Sequence, residues 1–156
     1  MVTLTVFTPA FNRAHTLTRT YESLKAQSCK DFLWLIIDDG STDNTEQLVS
    51  SWQEKDNGFE IRYIKKENGG MHTAHNTAYE NIDTELNVCI DSDDAMPEDA
   101  VKDILEHWQA VSDKDYAGII GLDADFNGNI IGSGFDKGLA STTLCGYYAS
   151  GGFGDK

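Results

Sequence analysis

The 156-residue sequence has little cysteine and few basic residues. Its three cysteines, Cys29, Cys89 and Cys145, are odd in number and widely spaced, which argues against a disulfide framework or a C-x-x-C site and indicates reduced thiols in a cytoplasmic protein. With 12 basic against 26 acidic residues the net charge is −14, so no basic stripe is available to displace counterions from nucleic acid. We therefore expect no nucleic-acid partner.

Long hydrophobic runs and prolines are also scarce. The longest apolar run, FLWLII at residues 32–37, is far too short to cross a bilayer, and no signal peptide opens the sequence. The 2 prolines leave no obvious linker. We therefore predict one domain over residues 1–156, large enough to bury a hydrophobic core.

What the sequence does contain is an alternation of strand-like and helix-like segments with short connections. The strand-like runs are Leu4–Thr8, Phe32–Ile37, Ile61–Ile64 and Leu86–Ile90, and we expect Pro9 to break the first of them. Helical spacing follows at Thr16–Gln27, after Asp43 with Glu46 as its capping-box partner, at Thr73–Asn81, and after Pro97 as a first-turn residue. This order predicts an α/β fold with a mostly parallel sheet and helices on both faces.

Residues 117–135 change character. Two β-rich runs flank Asn127-Gly128, which is a strong signal for a hairpin turn. We therefore predict an added β-hairpin near residues 117–135. The Gly-rich residues after it contain no closing element, and we interpret the sequence as truncated at its C-terminus.

Polar residues follow all four predicted strands of the sheet. In open α/β sheets, ligands bind beyond the carboxyl ends of the strands. The four segments are TPAFNR at residues 8–13, DDGS at 38–41, NGG at 68–70 and DSDD at 91–94. One aspartate at a strand end is commonly a helix cap, but four polar ends on one edge predict a ligand site.

The DSDD segment has three carboxylates and no neighbouring Lys or Arg. Such charges repel one another unless a cation lies between them. Mg²⁺ and Mn²⁺ prefer oxygen ligands and typically take one or two carboxylates together with substrate phosphates. We therefore predict a Mn²⁺ or Mg²⁺ site at Asp91, Asp93 and Asp94, which would bridge an acidic protein to an anionic substrate.

Other interpretations of the DSDD segment explain less. An EF-hand loop fails because Met96 and Lys102 stand where Gly and Glu are needed. The nucleophile motif of haloacid-dehalogenase-type phosphatases fits Asp91 and Asp93, but Ala95 replaces its Thr. Helix capping alone needs one carboxylate rather than three. An Asp-nucleophile phosphatase or phosphotransferase and a non-catalytic nucleotide-binding module stay open as alternative functions.

Taken together, four motifs resemble the nucleotide-sugar half of family 2 glycosyltransferases with the GT-A fold, a Rossmann-like nucleotide-binding architecture. The motifs are TVFTPAFNRAHTLTRTYESLKAQ, LIIDDGSTDNT, ENGGMHTAHN and CIDSDDAMPED. The resemblance implies transfer of a sugar, with inversion, from a nucleoside diphosphate, commonly UDP, to the hydroxyl of a saccharide or lipid-linked acceptor. It also implies cell-surface polysaccharide synthesis, with peripheral association at the inner face of the membrane.

The resemblance implies roles for individual residues as well. Asp39 would accept a hydrogen bond from the base, and Asp91 would lie near the ribose or the metal's water shell. Asp93 would be the main metal ligand, with Asp94 supporting it or serving as an alternative ligand. The general base would lie beyond Lys156. The residues bordering the nucleoside would be Thr8, Pro9, Ala10, Phe11 and Asn12. We also predict Gly70, His75 and Ser92 at the donor site, where His75 departs from the Arg or Lys of many relatives; an ordinary packed or surface role for His75 stays open. A zinc pair of His72 and His75 is disfavoured, because no third ligand is obvious.

Overall fold

The computed structural model describes residues 2–134 and 141–152, in two compact units, Met1–Asp115 and Tyr116–Lys156. In the first unit, four strands alternate with four helices, as the sequence predicts. The strands are β1 (Leu4–Ala10), β2 (Phe32–Asp38), β3 (Glu60–Lys65) and β4 (Leu86–Cys89). The helices are α1 (Leu17–Lys25), α2 (Thr45–Gln53), α3 (Met71–Asn81) and α4 (Ala100–Ala110).

The four strands form one parallel sheet in the order β3-β2-β1-β4. The chain winds outward from β1 through β2 to β3 and then returns to place β4 beside β1. The direction of winding therefore reverses between β1 and β4, and ligands of open α/β sheets bind beyond the strand ends at such a point. The prediction of a mostly parallel sheet is confirmed.

Strand β2 is buried along its whole length and anchors a layer of helices on each face. Phe32, Trp34 and Ile36 belong to the cluster that includes residues of α1, α2 and α4, whereas the alternate residues Leu33 and Leu35 pack with α3. Each fully buried large apolar side chain contributes about 1.5–3 kcal/mol relative to exposure. The prediction of helices on both faces is confirmed.

Strand β1 continues through Pro9 to Ala10 instead of ending at Thr8. Pro9 is tolerated because the main-chain groups of successive residues point to opposite sides of a strand, so those of Phe7 and Pro9 face the same side. The Phe7 carbonyl accepts from Ile90 on the β4 side, so the missing N–H of Pro9 also faces that side, beyond the end of β4. The prediction that proline breaks the strand is wrong for this reason.

Two predicted helix starts also differ from the structure. Asp43 accepts a hydrogen bond from the Thr45 amide at 3.0 Å, but its expected capping-box partner, Glu46, pairs with Lys65 at 2.8 Å. Helix α4 begins at Ala100, so Pro97 lies in the turn before it, where its carbonyl accepts from the Ala100 amide at 3.0 Å. At α2, a tertiary partner of Glu46 therefore replaces the capping box that the sequence suggested, and at α4 the turn that contains Pro97 precedes the helix.

The second unit contains an antiparallel pair, β5 (Asp123–Ala124) and β6 (Ile130–Ile131), followed by α5 (Leu144–Ala149). Gly128 supplies the positive φ of +83° that the turn requires, and Asp125 Oδ1 accepts from the amides of Asn127 and Asn129. The predicted hairpin is confirmed. Within residues 2–134 and 141–152, every helix is too short or too polar to cross a membrane.

Candidate functional site

Two buried aspartates begin the turn after β2. Asp38 is fully buried, and its Oδ1 accepts from the Ser41 amide at 2.7 Å while its other oxygen accepts from the Tyr63 hydroxyl. Burial and the Asp38 carboxylate raise the pKa of Tyr63, so this hydroxyl remains a donor at neutral pH. Asp38 therefore holds the turn after β2 in place through Ser41 and connects it to Tyr63 of β3.

Asp39 joins the β2 turn to the Asn68-Gly69-Gly70 turn after β3. Its side chain is only 5% exposed; Oδ1 accepts from Lys66 Nζ at 2.6 Å and the Gly69 amide at 3.0 Å, and Oδ2 accepts from the Gly70 amide at 2.7 Å. Burial raises the pKa of Asp39, but the hydrogen bonds and charge of Lys66, with the Gly69 and Gly70 amides, outweigh it and lower the pKa. Asp39 is therefore ionised, and Oδ2 keeps acceptor capacity for a ligand.

Glycine allows these two turns to approach so closely. Gly40 has a φ of +81°, and a Cβ at this position would lie 2.9 Å from the Asn68 amide nitrogen. The Asn68 side chain in turn donates to the Asp39 carbonyl at 2.8 Å. A larger residue at position 40 would therefore push the two turns apart.

The loop after β1 is held against the β2 turn by Asn12. This residue has a φ of 55°, its Oδ1 accepts from the Thr42 amide at 2.8 Å, and its own amide donates to Ser41 Oγ at 2.8 Å. Asp43 Oδ2 closes the other side by accepting from the Ala14 amide at 3.1 Å. The Asn12 side chain thus builds the loop, while Phe11 beside it is 47% exposed.

The remaining predicted nucleoside contacts on β1 differ in what they can offer a ligand. Thr8 is fully buried and paired with Ile36 of β2, and its Oγ1 accepts from Trp34 Nε1 at 3.0 Å, so it supports the strand end from within the core. Ala10 is also buried, and its carbonyl accepts from the Asp39 amide at 2.8 Å. Pro9 is half-buried between them.

The DSDD turn follows β4, whose neighbour is β1, so it lies at the same edge of the sheet as the loop after β1. The Asp94 amide donates to the Asp91 carbonyl at 3.1 Å, which closes the turn. Ser92 is buried, whereas the three aspartates are exposed. Parallel strands thus bring this turn and the loop after β1 to one edge, as predicted.

The DSDD turn offers an incomplete set of metal ligands. Among residues 2–134 and 141–152, no group of three or more His, Cys, Asp or Glu side chains is arranged to hold a metal ion. The exposed carboxylates of Asp91 and Asp93 are oxygen donors of the kind that Mn²⁺ and Mg²⁺ prefer. The residues therefore fit a divalent ion that a second molecule, such as a diphosphate, must help to coordinate.

His75 and Gly70 belong to α3 and its start. The half-buried His75 ring packs edge-on against Phe7 at 5.3 Å between centroids and lies 6.2 Å from Tyr79. Gly70 precedes the helix with a φ of +90°, and exposed His72 lies beside it. The part of the chain that the structure describes contains no third ligand for a zinc pair here.

Lys66 is the site residue that the sequence prediction missed. Besides Asp39, its Nζ donates to Thr73 Oγ1 at 2.8 Å, so it bridges the end of β3 to the start of α3. A buried carboxylate needs a compensating cation. Lys65 and Lys66 stand one residue before the Asn68-Gly69-Gly70 turn, separated from it by Glu67, and these two positive charges were the available signal.

Comparison with known proteins identifies the family to which this α/β fold belongs. Residues 5–130 match the profile described as Glycosyl transferase family 2. The chain therefore belongs to glycosyl transferase family 2, and its fold is that of GT-A structural neighbours.

Three similar proteins are informative. A teichoic acid poly(glycerol phosphate) polymerase of Staphylococcus epidermidis is 35% identical over 106 residues, which are 67% of this chain and 15% of that protein. S. aureus TarS 1–349 in complex with UDP has a TM-score of 0.65 at 25% identity, over 70% of this chain and 33% of that one. The mannosyltransferase PcManGT from Pyrobaculum calidifontis, in complex with GDP-Man and Mn²⁺, has a TM-score of 0.57 at 26% identity, over 60% and 28%.

This chain spans only about a fifth of the length of the first three curated relatives it matches, between 15% and 22%.

Proposed function

We propose that this chain binds the nucleoside-diphosphate-sugar donor, a UDP-sugar, of an inverting glycosyltransferase. The observation that carries the proposal is the pairing at one sheet edge of a buried, ionised Asp39 with the exposed carboxylates of the DSDD turn. The Asp39 carboxylate suits a nucleotide base that donates a hydrogen bond, and the carboxylates of the DSDD turn suit the metal ion that accompanies a diphosphate. The similar structures that hold UDP, or GDP-Man with Mn²⁺, support the same assignment.

Because its carboxylate is ionised, Asp39 would select which nucleotide base binds. An ionised carboxylate only accepts hydrogen bonds, so it suits the ring N–H of uracil and opposes cytosine, whose corresponding nitrogen is itself an acceptor. Two acceptors facing each other in a buried site leave a polar group unpaired, which costs about 1–3 kcal/mol. We expect UDP to bind at least tenfold more tightly than CDP, because about 1.4 kcal/mol corresponds to a factor of ten.

The DSDD turn would hold Mn²⁺ or Mg²⁺ through Asp93, with Asp91 and Asp94 beside it. When bound, the ion supplies charge neutralisation for the departing diphosphate. The protein's own contribution is to fix the turn at the switch point of the sheet, where Ser92 is buried and Asp94 closes the turn. Gly70 and His75 would border the donor from the start of α3, and Phe11 from the loop after β1.

The similar proteins and the cysteines support a proposal for the acceptor and the compartment. The similarity to a teichoic acid polymerase favours a cell-surface polymer and a saccharide or lipid-linked acceptor. The cysteines Cys29, Cys89 and Cys145 are free, which agrees with a reducing compartment, and we place the reaction at the cytoplasmic face of the membrane. Membership of a glycosyltransferase family leaves the Asp-nucleophile phosphatase without support.

Base selection is tested by calorimetric titration of UDP and CDP into the wild-type chain and into Asp39→Asn. The amide can both donate and accept, so we expect the UDP preference to fall by about tenfold or more in this variant. An exposed substitution, Asp113→Asn, serves as the matched control and should keep the preference. Equal affinity of the wild-type chain for UDP and CDP would contradict the role of Asp39.

A further inference from the structure

Helix α1 presents a row of polar side chains to a single segment, residues 93–101, which connects the DSDD turn to α4. We call three residues of α1, Arg19, Thr20 and Ser23, together with Gln27 just beyond its C-terminus, the α1 ladder. Arg19 Nη1 donates to the Asp93 carbonyl at 2.9 Å, Thr20 Oγ1 to the Asp94 carbonyl at 2.9 Å, and Gln27 Nε2 to the Pro97 carbonyl at 2.7 Å. Ser23 Oγ accepts from the Met96 amide at 3.1 Å, and Gln27 Oε1 from the Val101 amide at 3.0 Å.

The α1 ladder gives this connecting segment the hydrogen bonds that regular structure would otherwise supply. Residues 93–99 have no strand or helix of their own, and buried backbone groups need partners. The N-cap residue Asp99 makes no side-chain capping bond to α4, and the Val101 amide is bound by Gln27 instead. The shape of the segment is therefore set by a different helix.

Burial makes these contacts obligatory at two of the four positions. Thr20 is fully buried and Gln27 is 3% exposed. Thr20 stands on the flank of α1, whose apolar face, including Leu17 and Leu24, packs into the core. Gln27 lies two residues beyond the end of α1, and its Nε2 also donates to the Ser23 carbonyl at 3.1 Å, which ties it to the helix. A buried hydroxyl or amide on such a flank needs a fixed partner, and the segment that follows the DSDD turn supplies it.

We propose that the α1 ladder positions the DSDD turn for binding of the divalent ion, with Thr20 as a positioning residue. The inference rests on the proposed function, because it takes the ion and the diphosphate as the ligands. The carboxylates of Asp91 and Asp93 are exposed, so the backbone of the turn must limit their freedom. Hydrogen bonds to the Asp93 and Asp94 carbonyls do so directly, and they lower the ordering cost when a carboxylate coordinates an ion.

The test replaces the Thr20 hydroxyl with a methyl group of nearly the same size. UDP is titrated into Thr20→Val with and without Mn²⁺. The dissociation constant without Mn²⁺ divided by the dissociation constant with Mn²⁺ reports the metal-dependent part of binding. We expect this ratio to fall about tenfold or more, as is typical when a group supporting a metal ligand is removed, with metal-free UDP binding unchanged. Thr18→Val, at an exposed position on the same helix, and Thr20→Ser, which keeps the hydroxyl, should retain the wild-type ratio.

A second variant and a second measurement keep the inference testable if Thr20→Val fails to fold. Ser23→Ala introduces a good helix former and leaves the Met96 amide without its acceptor. It should lower the same ratio, and the Met96 amide should exchange hydrogen faster in the absence of any ion. A wild-type ratio in both variants, or in Ser23→Ala alone when Thr20→Val is unfolded, overturns the α1 ladder's role. Absence of metal-dependent UDP binding in the wild-type chain overturns the proposed function itself, and the inference with it.

Discussion

Replacing Lys66 by methionine removes the cation that compensates the buried Asp39 carboxylate. The two groups are 2.6 Å apart, with side chains 22% and 5% exposed. Methionine keeps most of the aliphatic length of lysine, so the substitution deletes the charge and its hydrogen bonds to Asp39 and Thr73 with little loss of packing.

The magnitude follows from what remains around Asp39 after the substitution. Removing one partner of a fully buried ion pair costs about 3–5 kcal/mol. The partial exposure of Lys66 and the remaining Gly69 and Gly70 amide donors reduce this value, and a lost hydrogen bond to a charged group is worth about 1.5–3 kcal/mol. We therefore expect Lys66→Met to lower the free energy of unfolding by about 2 kcal/mol, or the Tm by roughly 4–8 °C.

Lys65 provides a matched control one residue away. Its ammonium pairs with Glu46 at 2.8 Å, but these side chains are 40% and 51% exposed, and exposed pairs contribute little. The free energies of unfolding are compared by urea titration of four variants: Lys65→Met, Lys66→Met, Asp39→Asn and the Asp39→Asn/Lys66→Met double variant. Equal destabilisation by the two lysine substitutions, or no coupling between Asp39 and Lys66 in the double variant, would refute the reasoning.

Two further predictions concern the same loops. Burial raises the pKa of Asp43, but the hydrogen bonds from Thr45 and Ala14 outweigh it and lower this pKa below the ordinary value of 3.8. The charged Asp43 side chain therefore stabilises the fold at pH values above 3.8, and this stability is lost as the pH falls through the lowered pKa. Between pH 6 and about 2.5, the Tm of Asp43→Asn should therefore decrease less steeply than that of the wild type. A slope equal to the wild type's would contradict this. Gly40→Ala should destabilise by about 1–3 kcal/mol, because φ is +81° and the added Cβ would meet the Asn68 amide, whereas Gly118→Ala, with open space around it, should be tolerated in the same urea titration.

The sheet could be predicted because each strand carries its own signal. The FLWLII run of β2 is uniformly apolar, as a strand buried on both faces requires, and short connections to helices then dictate parallel pairing. Pro9 misled the prediction because its effect depends on which side of β1 lacks a neighbour. The capping box predicted for Glu46 was wrong because Glu46 pairs instead with Lys65 of β3, which is distant in the sequence.

The sequence predicts where the site lies, but not the hydrogen bonds that hold its loops in place. Asp39 and the DSDD turn could be assigned to one edge because all carboxyl ends of parallel strands meet there. The contacts of Thr20 and Arg19 with the DSDD turn depend on how α1 lies across the sheet, which no local pattern encodes. Asn12 was expected beside the nucleoside, and only its left-handed backbone and its bonds to the Thr42 amide reveal that it also builds the loop.

The most direct test of the central claim is calorimetric titration of UDP, with and without Mn²⁺, into the wild-type chain, Asp93→Ala and the control Asp113→Ala. We predict UDP binding that Mn²⁺ strengthens in the wild-type chain and in Asp113→Ala, and loss of this metal dependence in Asp93→Ala. Binding of UDP that is indifferent to Mn²⁺, or equally strengthened by it in Asp93→Ala, would contradict the assignment of the DSDD turn to the ion of a nucleotide-sugar donor.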